Sequence, residues 1–184
     1  MNVCTSCECV DNFIIGMYNK LVNTSLTIKN TCSLFGHNEI EVTNELKQNL
    51  TNLFIDMIEN KNVNCFYFGG LGQFDDLCWQ IITGLKTRYK DIVRVFCLAD
   101  PRHQRLSKRP KWLKNEDYEE IVYLELDFDY WYTRIYYRNC EIVNRSDYVV
   151  FYVNHTKGSG AYKAMQYAIK HKKSIINVCE SFNK

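Results

Sequence analysis

Six short apolar runs divide the chain between Thr31 and Val178, and four of the five intervals between them carry helical periodicity. The runs are Thr31–Gly36, Val63–Phe68, Asp91–Ala99, Ile121–Leu126, Asp147–Val153 and Ser174–Val178. Between the first two, Val42, Leu46, Leu50, Leu53, Phe54, Met57 and Ile58 recur at helical spacing. Phe74, Leu77, Cys78, Ile81, Ile82 and Leu85 mark a second helix, residues 130–145 a third, and Ala161, Ala164, Met165 and Ala168 a fourth. Strands alternating with helices form βαβ units around a mostly parallel sheet. Runs such as DYVVFYV are apolar on both faces, as a sheet covered on both sides demands. The fold predicted is α/β, a Rossmann-like three-layer sandwich.

The chain has 184 residues, 46% hydrophobic and 14% aromatic, enough for one packed core. Residues 1–28 read as an N-terminal extension that includes a short helix-compatible stretch, and residues 29–184 as a single domain. The net charge of +2 gives no general pull toward nucleic acid or a membrane, and no apolar run is long enough to span a bilayer. The start, MNVCTSCECVDNF, lacks the pattern of an export signal, so the expected location is cytoplasmic. Six of the nine cysteines lie among apolar residues and read as reduced core thiols. Cys4, Cys7 and Cys9 form a CxxCxC cluster with no downstream pair at a zinc-finger spacing, so neither a metal nor a cofactor is expected.

Glycine is scarce, and its placement is informative. Six of the eight glycines fall in three strand-to-helix joins: FGHNE, FGGLGQFDD and NHTKGSGAY. A parallel sheet puts all three joins at one edge, where ligands of open α/β sheets sit. A glycine join opening a helix offers N–H groups beside a partial positive dipole, a setting for phosphate. The pattern is neither a Walker A loop nor GxGxxG.

These segments, with RNCEIVNRSDYVVFYVNHTKGSGAYKAMQYAIKHKKSIINV, resemble the SLOG superfamily, in particular its YpsA-like branch, from about Thr31 to Val178. The resemblance implies a Rossmann-like fold that binds nucleotides or nucleotide-derived ligands at these loops. Carried over by motif, it places Gly36 and His37 in a first loop and Gly69, Gly70, Gly72 and Asp75 in a second. Arg138, Asn139 and Arg145 come from the helix before the fifth strand, and Gly158, Ser159 and Gly160 form the last loop. The phosphoribohydrolase relatives carry PGGxGTxxE, whereas this chain reads KGSGAYKAM. The missing threonine and glutamate speak against hydrolysis and leave binding intact.

Each candidate also has a purely structural reading. Asp75 and Asp76 suit dipole compensation or capping as well as a grip on ribose hydroxyls. Arg138 and Arg145, seven apart and interleaved with Arg134 and Glu141, fit a solvated ion-pair stripe as well as a phosphate clamp. His37 suits a structural hydrogen bond, a phosphate contact or acid–base work, and His155 falls just before the last loop. The basic run DPRHQRLSKRPKWLK reads as a flap over an anionic ligand or a solvated loop, with nucleic-acid binding through Trp112 a further option. Tyr130, Trp131, Tyr132, Tyr136 and Tyr137 read as core and interface rather than as a base-stacking platform, and suggest a homo-oligomer.

The function expected is non-enzymatic binding, for sensing or for sequestering, of a nucleotide-derived, phosphate-bearing small molecule. A cyclic ADP-ribose-type immune signal, held by a sponge-like anti-defence protein, is the specific form. A nucleotide N-glycosidase or phosphoribohydrolase using Asp75 or His37 is the alternative, and a nucleic-acid-binding protein the second alternative.

Overall fold

The computed structural model describes residues 28–100, 102, 115–123, 130–154 and 158–181. The CxxCxC cluster, Trp112, His155 and most of the basic run lie outside the described residues. So do Leu124–Leu126, the end of the expected fourth strand.

Six strands form one sheet: β1 Asn30–Gly36, β2 Val63–Phe68, β3 Val93–Leu98, β4 Glu120–Tyr123, β5 Tyr148–Tyr152 and β6 Ser174–Asn177. Every ladder is parallel, and the order is β4-β3-β2-β1-β5-β6. The chain builds outward from β1 to β4, then returns to the other side of β1 to lay down β5 and β6. Strand order therefore reverses between β1 and β5, which opens a crevice at their carboxyl ends.

The helices are α1 Asn44–Asn60, α2 Gln73–Leu85, α3 Trp131–Asn144, α4 Gly160–Lys170 and the short α5 Val178–Ser181. Leu46, Leu50, Phe54 and Met57 of α1 and Phe74, Leu77, Cys78 and Ile82 of α2 pack on Cys32, Leu34, Phe66, Phe68 and Phe96. On the opposite face, Ile142 and Val143 of α3 and Ala161, Ala164 and Ala168 of α4 cover Phe35, Cys65, Tyr67, Val95 and Phe151. The alanines bring α4 close to the sheet. This is the expected three-layer sandwich, with two cores separated by an all-parallel sheet. Thr43 caps α1 by accepting the Leu46 N–H at 3.0 Å, which sets its start two residues after Val42.

Local bonds hold the strands in register. At their starts, Asp147 accepts the N–H of Thr31 at 2.9 Å and its hydroxyl at 2.8 Å, fastening β5 to β1. In the β3 ladder the buried Arg94 forms a forked pair with Glu119, at 2.9 and 3.1 Å, and so anchors the approach to the edge strand β4.

Candidate functional site

A cavity of about 470 Å³ occupies the crevice at the carboxyl ends of β1 and β5. Three of its walls are the expected joins. Gly36 and His37 come from the end of β1, Gly69 from the end of β2, and Gly158, Ser159 and Gly160 from the start of α4. Asp75 of α2 and Arg138 and Asn139 of α3 complete the polar lining. Nine of the twelve residues proposed from sequence thus meet in one place.

The other three do not line it. Gly70 and Gly72 shape the second join from behind. Gly70 has φ +65° and an added Cβ would overlap the Phe96 ring; Gly72 has φ +102° and a Cβ there would stand 2.6 Å from the Cα of Asn38. That approach is locked by the Gln73 N–H donating to Asn38 at 2.9 Å. Arg145 follows the last residue of α3, where its Nε pairs with Glu141 at 2.8 Å and its carbonyl accepts the Thr31 hydroxyl. The side of the sheet where β1 starts is its neighbourhood, not the crevice. Seven residues of helix, about 10 Å, separate it from Arg138.

The second join is not an open phosphate loop. Asp75 Oδ2 accepts the N–H groups of Gly69, Gly70 and Leu71 at 3.2, 2.6 and 3.3 Å. The carboxylate occupies the place that an anion would take at those amides. Burial pushes its pKa up to about 6, against the pull of these N–H groups and of Arg138.

Arg138 is only 4% exposed, so it does not belong to a solvated stripe. Its Nη1 donates to the Gly69 carbonyl at 2.8 Å and to Cys97 at 3.4 Å. Nε and Nη2 donate to Asn139 Oδ1 at 3.2 and 2.9 Å. Neutral oxygens hold the fork, and among the described residues no carboxylate lies within ion-pair distance of it. Desolvation lowers its pKa from the usual arginine value, and the protein still keeps this cation at the cavity floor.

His37 bridges the crevice. Its Nε2 accepts the Asn154 N–H at 3.2 Å, which puts the ring proton on Nδ1, 3.2 Å from Ser159 Oγ. Ser159 Oγ also accepts the Tyr162 N–H at 3.0 Å as the cap of α4. With both lone pairs engaged, its own proton is left to donate, and the cavity is the open side. The amides of Gly160 and Ala161, the first two of α4, have no acceptor among the described residues.

The glycines differ in what requires them. A Cβ at Gly36 would overlap Phe74, and one at Gly69 would stand 2.8 Å from the Arg138 guanidinium. Gly158 has φ +68°, which accounts for it. Gly160 meets nothing within 4 Å and has no unusual φ, so neither packing nor backbone demands a glycine there.

Asn38, Glu39, Leu71, Ile135 and Ala161 also line the cavity and were not singled out from sequence. Asn38, Glu39, Leu71 and Ala161 lie inside the quoted glycine joins, which was the available signal. Ile135 carried none beyond its helical period. Of the expected core and interface roles of the tyrosines, the core one is corrected: Tyr130, Tyr132, Tyr136 and Tyr137 are exposed.

Among the described residues there is no cluster of metal-ligating side chains, and no helix is long and apolar enough to cross a membrane. No protein-family model matches the chain, and no curated protein matches it in sequence. Among solved structures, it is similar to DNA processing protein A from Streptococcus pneumoniae, with a TM-score of 0.53 and 8% identity over 79% of this chain and 49% of that one. It is also similar to DNA processing protein A from Helicobacter pylori, with a TM-score of 0.51 and 17% identity over 85% of this chain and 66% of that one. The latter structure concerns that protein's single-stranded DNA binding mode. The chain spans about half the length of the first protein and just under two thirds of the second. At these identities the likeness establishes the Rossmann-like fold.

Proposed function

We propose that this protein is a SLOG-type binding protein that holds a nucleotide-derived, phosphate-bearing ligand in the β1–β5 crevice without turning it over. One observation carries the reading: a buried guanidinium, Arg138, with no carboxylate at ion-pair distance among the described residues, lies on the floor of a cavity that also contains the start of α4. A phosphate in that space would gain the α4 amides, the Ser159 proton and the charge of Arg138. The cavity volume suits a mononucleotide-sized group. Binding rather than hydrolysis is favoured because the two groups named for chemistry are already engaged. His37 has both ring nitrogens in hydrogen bonds, and Asp75 Oδ2 serves three backbone amides. Within this class, a cyclic ADP-ribose-type signal held by a sponge remains the specific form proposed.

The test is retention. The purified protein is incubated with adenine nucleotides, NAD, ADP-ribose and cyclic ADP-ribose isomers, freed of unbound compound and denatured. The released material is then identified by mass spectrometry. Release of an intact compound by the wild type, but not by Arg138→Met, is the expected result. A cleaved product would make the protein an enzyme.

The likeness to the Helicobacter pylori protein favours a second reading, in which single-stranded DNA is the ligand. It returns nucleic acid to consideration after the balanced net charge had set it aside. Binding of oligothymidylate that weakens steeply with salt would support it, and no binding at low salt would end it.

A further inference from the structure

Four residues at the cavity floor are joined by one run of hydrogen bonds. Gly69 donates its N–H to Asp75 Oδ2 at 3.2 Å, and its carbonyl accepts from Arg138 Nη1 at 2.8 Å. Arg138 passes the run on, with Nε and Nη2 both donating to Asn139 Oδ1. Asp75 and Asn139 are each 7% exposed, and both line the cavity. A guanidinium can only donate, so the Asn139 oxygen faces Arg138 and its amide nitrogen faces the other way. The three loop N–H groups all converge on Asp75 Oδ2, which leaves Oδ1 over. Neither Asp75 Oδ1 nor Asn139 Nδ2 has a hydrogen-bond partner among the described residues. Yet neither is sealed in: among the described residues, the one fully buried side-chain nitrogen or oxygen without a partner is Ser33 Oγ. The opening through which both atoms are reached is the cavity that their residues line. The floor thus offers one charged acceptor and one donor, each held from behind by bonds that no ligand has to supply.

We infer that Asp75 Oδ1 and Asn139 Nδ2 form a subsite for the vicinal hydroxyls of a sugar, and that the ligand of this cavity is a ribose phosphate ester, such as a ribonucleotide, rather than a deoxynucleotide or a bare anion. This rests on the reading of the cavity as a phosphate site and deepens it. A hydroxyl both donates and accepts, so one of a neighbouring pair can donate to the carboxylate while the other accepts from the amide. An ionised phosphate has only acceptor oxygens and would meet a carboxylate here; it belongs with the donors at the start of α4. Within a DNA strand the sugar lacks the 2′-hydroxyl and its 3′-oxygen is esterified, so single-stranded DNA would leave the pair unused.

The experiment is calorimetry on the full chain at pH 8, where Asp75 is ionised. It compares 5′-AMP with its 2′,3′-dideoxy analogue, for the wild type and Asp75→Asn. An asparagine at this position must keep its oxygen toward the three loop N–H groups, so its NH2 turns to the cavity and the charged acceptor is lost. The wild type should bind AMP about tenfold more tightly than the dideoxy compound, the worth of a hydrogen bond to a charged group. In Asp75→Asn the preference should narrow to about threefold or less. Equal binding of the two compounds by the wild type, a result that needs no variant, overturns the subsite while leaving the phosphate site standing. A preference that persists unchanged in a folded Asp75→Asn protein would assign the sugar to other groups and equally overturn it. If the wild type binds neither compound, the phosphate site itself falls, and the subsite with it.

Discussion

Asp75 accepts the backbone N–H of Gly70 at 2.6 Å, and the neighbouring amides of Gly69 and Leu71 converge on the same carboxylate oxygen. A carboxylate in this position is useful only while the loop needs its acceptor, and its burial makes it sensitive to acid in an unusual direction.

The folded-state pKa of Asp75 is raised from 3.8 to about 6, so between those values the native state binds more protons than the unfolded state. Its contribution to stability is present at pH 4 and is lost as pH rises through 6. Asp75→Asn keeps an acceptor oxygen and cannot ionise. The unfolding free energy of the wild type minus that of Asp75→Asn should fall by about 2 kcal/mol between pH 4 and pH 6.5, measured by urea titration. A difference that is flat with pH would mean that the carboxyl is not buried as described.

Gly36 and Gly160 should respond oppositely to alanine. At Gly36 the new Cβ would overlap the Phe74 side chain, which is itself fully buried, and unfolding free energy should drop by about 2–3 kcal/mol. At Gly160 the Cβ enters open space at the first position of a helix, and stability should hold or rise by about 0.5 kcal/mol. The Gly160→Ala protein should nevertheless lose ligand affinity, because the methyl group takes room beside the α4 amides. Thermal unfolding and ligand retention on the same samples check both halves.

Replacing His37 with alanine leaves the Asn154 N–H without its acceptor and removes the Nδ1 partner of Ser159. A cost of about 2 kcal/mol is expected from the loss at a buried position. Hydrogen exchange should accelerate at Asn154 more than in the central strands, since the bond closes the crevice rather than the core.

The Arg94–Glu119 fork should matter mainly at the sheet edge. Arg94→Lys keeps the charge but cannot reproduce the paired Nε and Nη2 bonds, and a loss of about 2 kcal/mol is expected. Burial opposes ionisation of Glu119, but its bonds to Arg94 outweigh that and hold its carboxyl below the usual range. In the wild type this stabilisation is present above the ordinary glutamate pKa and disappears as pH falls through the lowered one. Arg94→Lys should therefore flatten the acid limb of the stability curve.

Much of the fold was legible because its strands are apolar on both faces and its helices on one. The glycine joins located the crevice for a related reason: few residues other than glycine allow the backbone of Gly70, Gly72 and Gly158 to turn as it does. What the sequence could not separate was which glycine serves packing and which faces empty space, since Gly36 and Gly160 differ only in their neighbours. Arg138 and Arg145 looked alike because seven residues return to the same helix face. Burial distinguishes them, and burial depends on where the helix ends relative to the sheet. The core part of the reading of Tyr132, Tyr136 and Tyr137 failed because a large aromatic is read as core by default, whereas these residues are exposed on α3. Asp75 was rightly allowed a capping role, although the amides it caps belong to the loop before its helix.

The carboxylate seated on the β2–α2 join has a consequence for whatever enters the crevice. The amides of that wall are already served by a charge built into the chain, with the Arg138 cation beside it on the Gly69 carbonyl, so they have nothing left to offer a second anion. The opposite wall, at the start of α4, offers only donors. The cavity is therefore polarised across its width, and an asymmetric guest with one charged end has a single way round in which to sit.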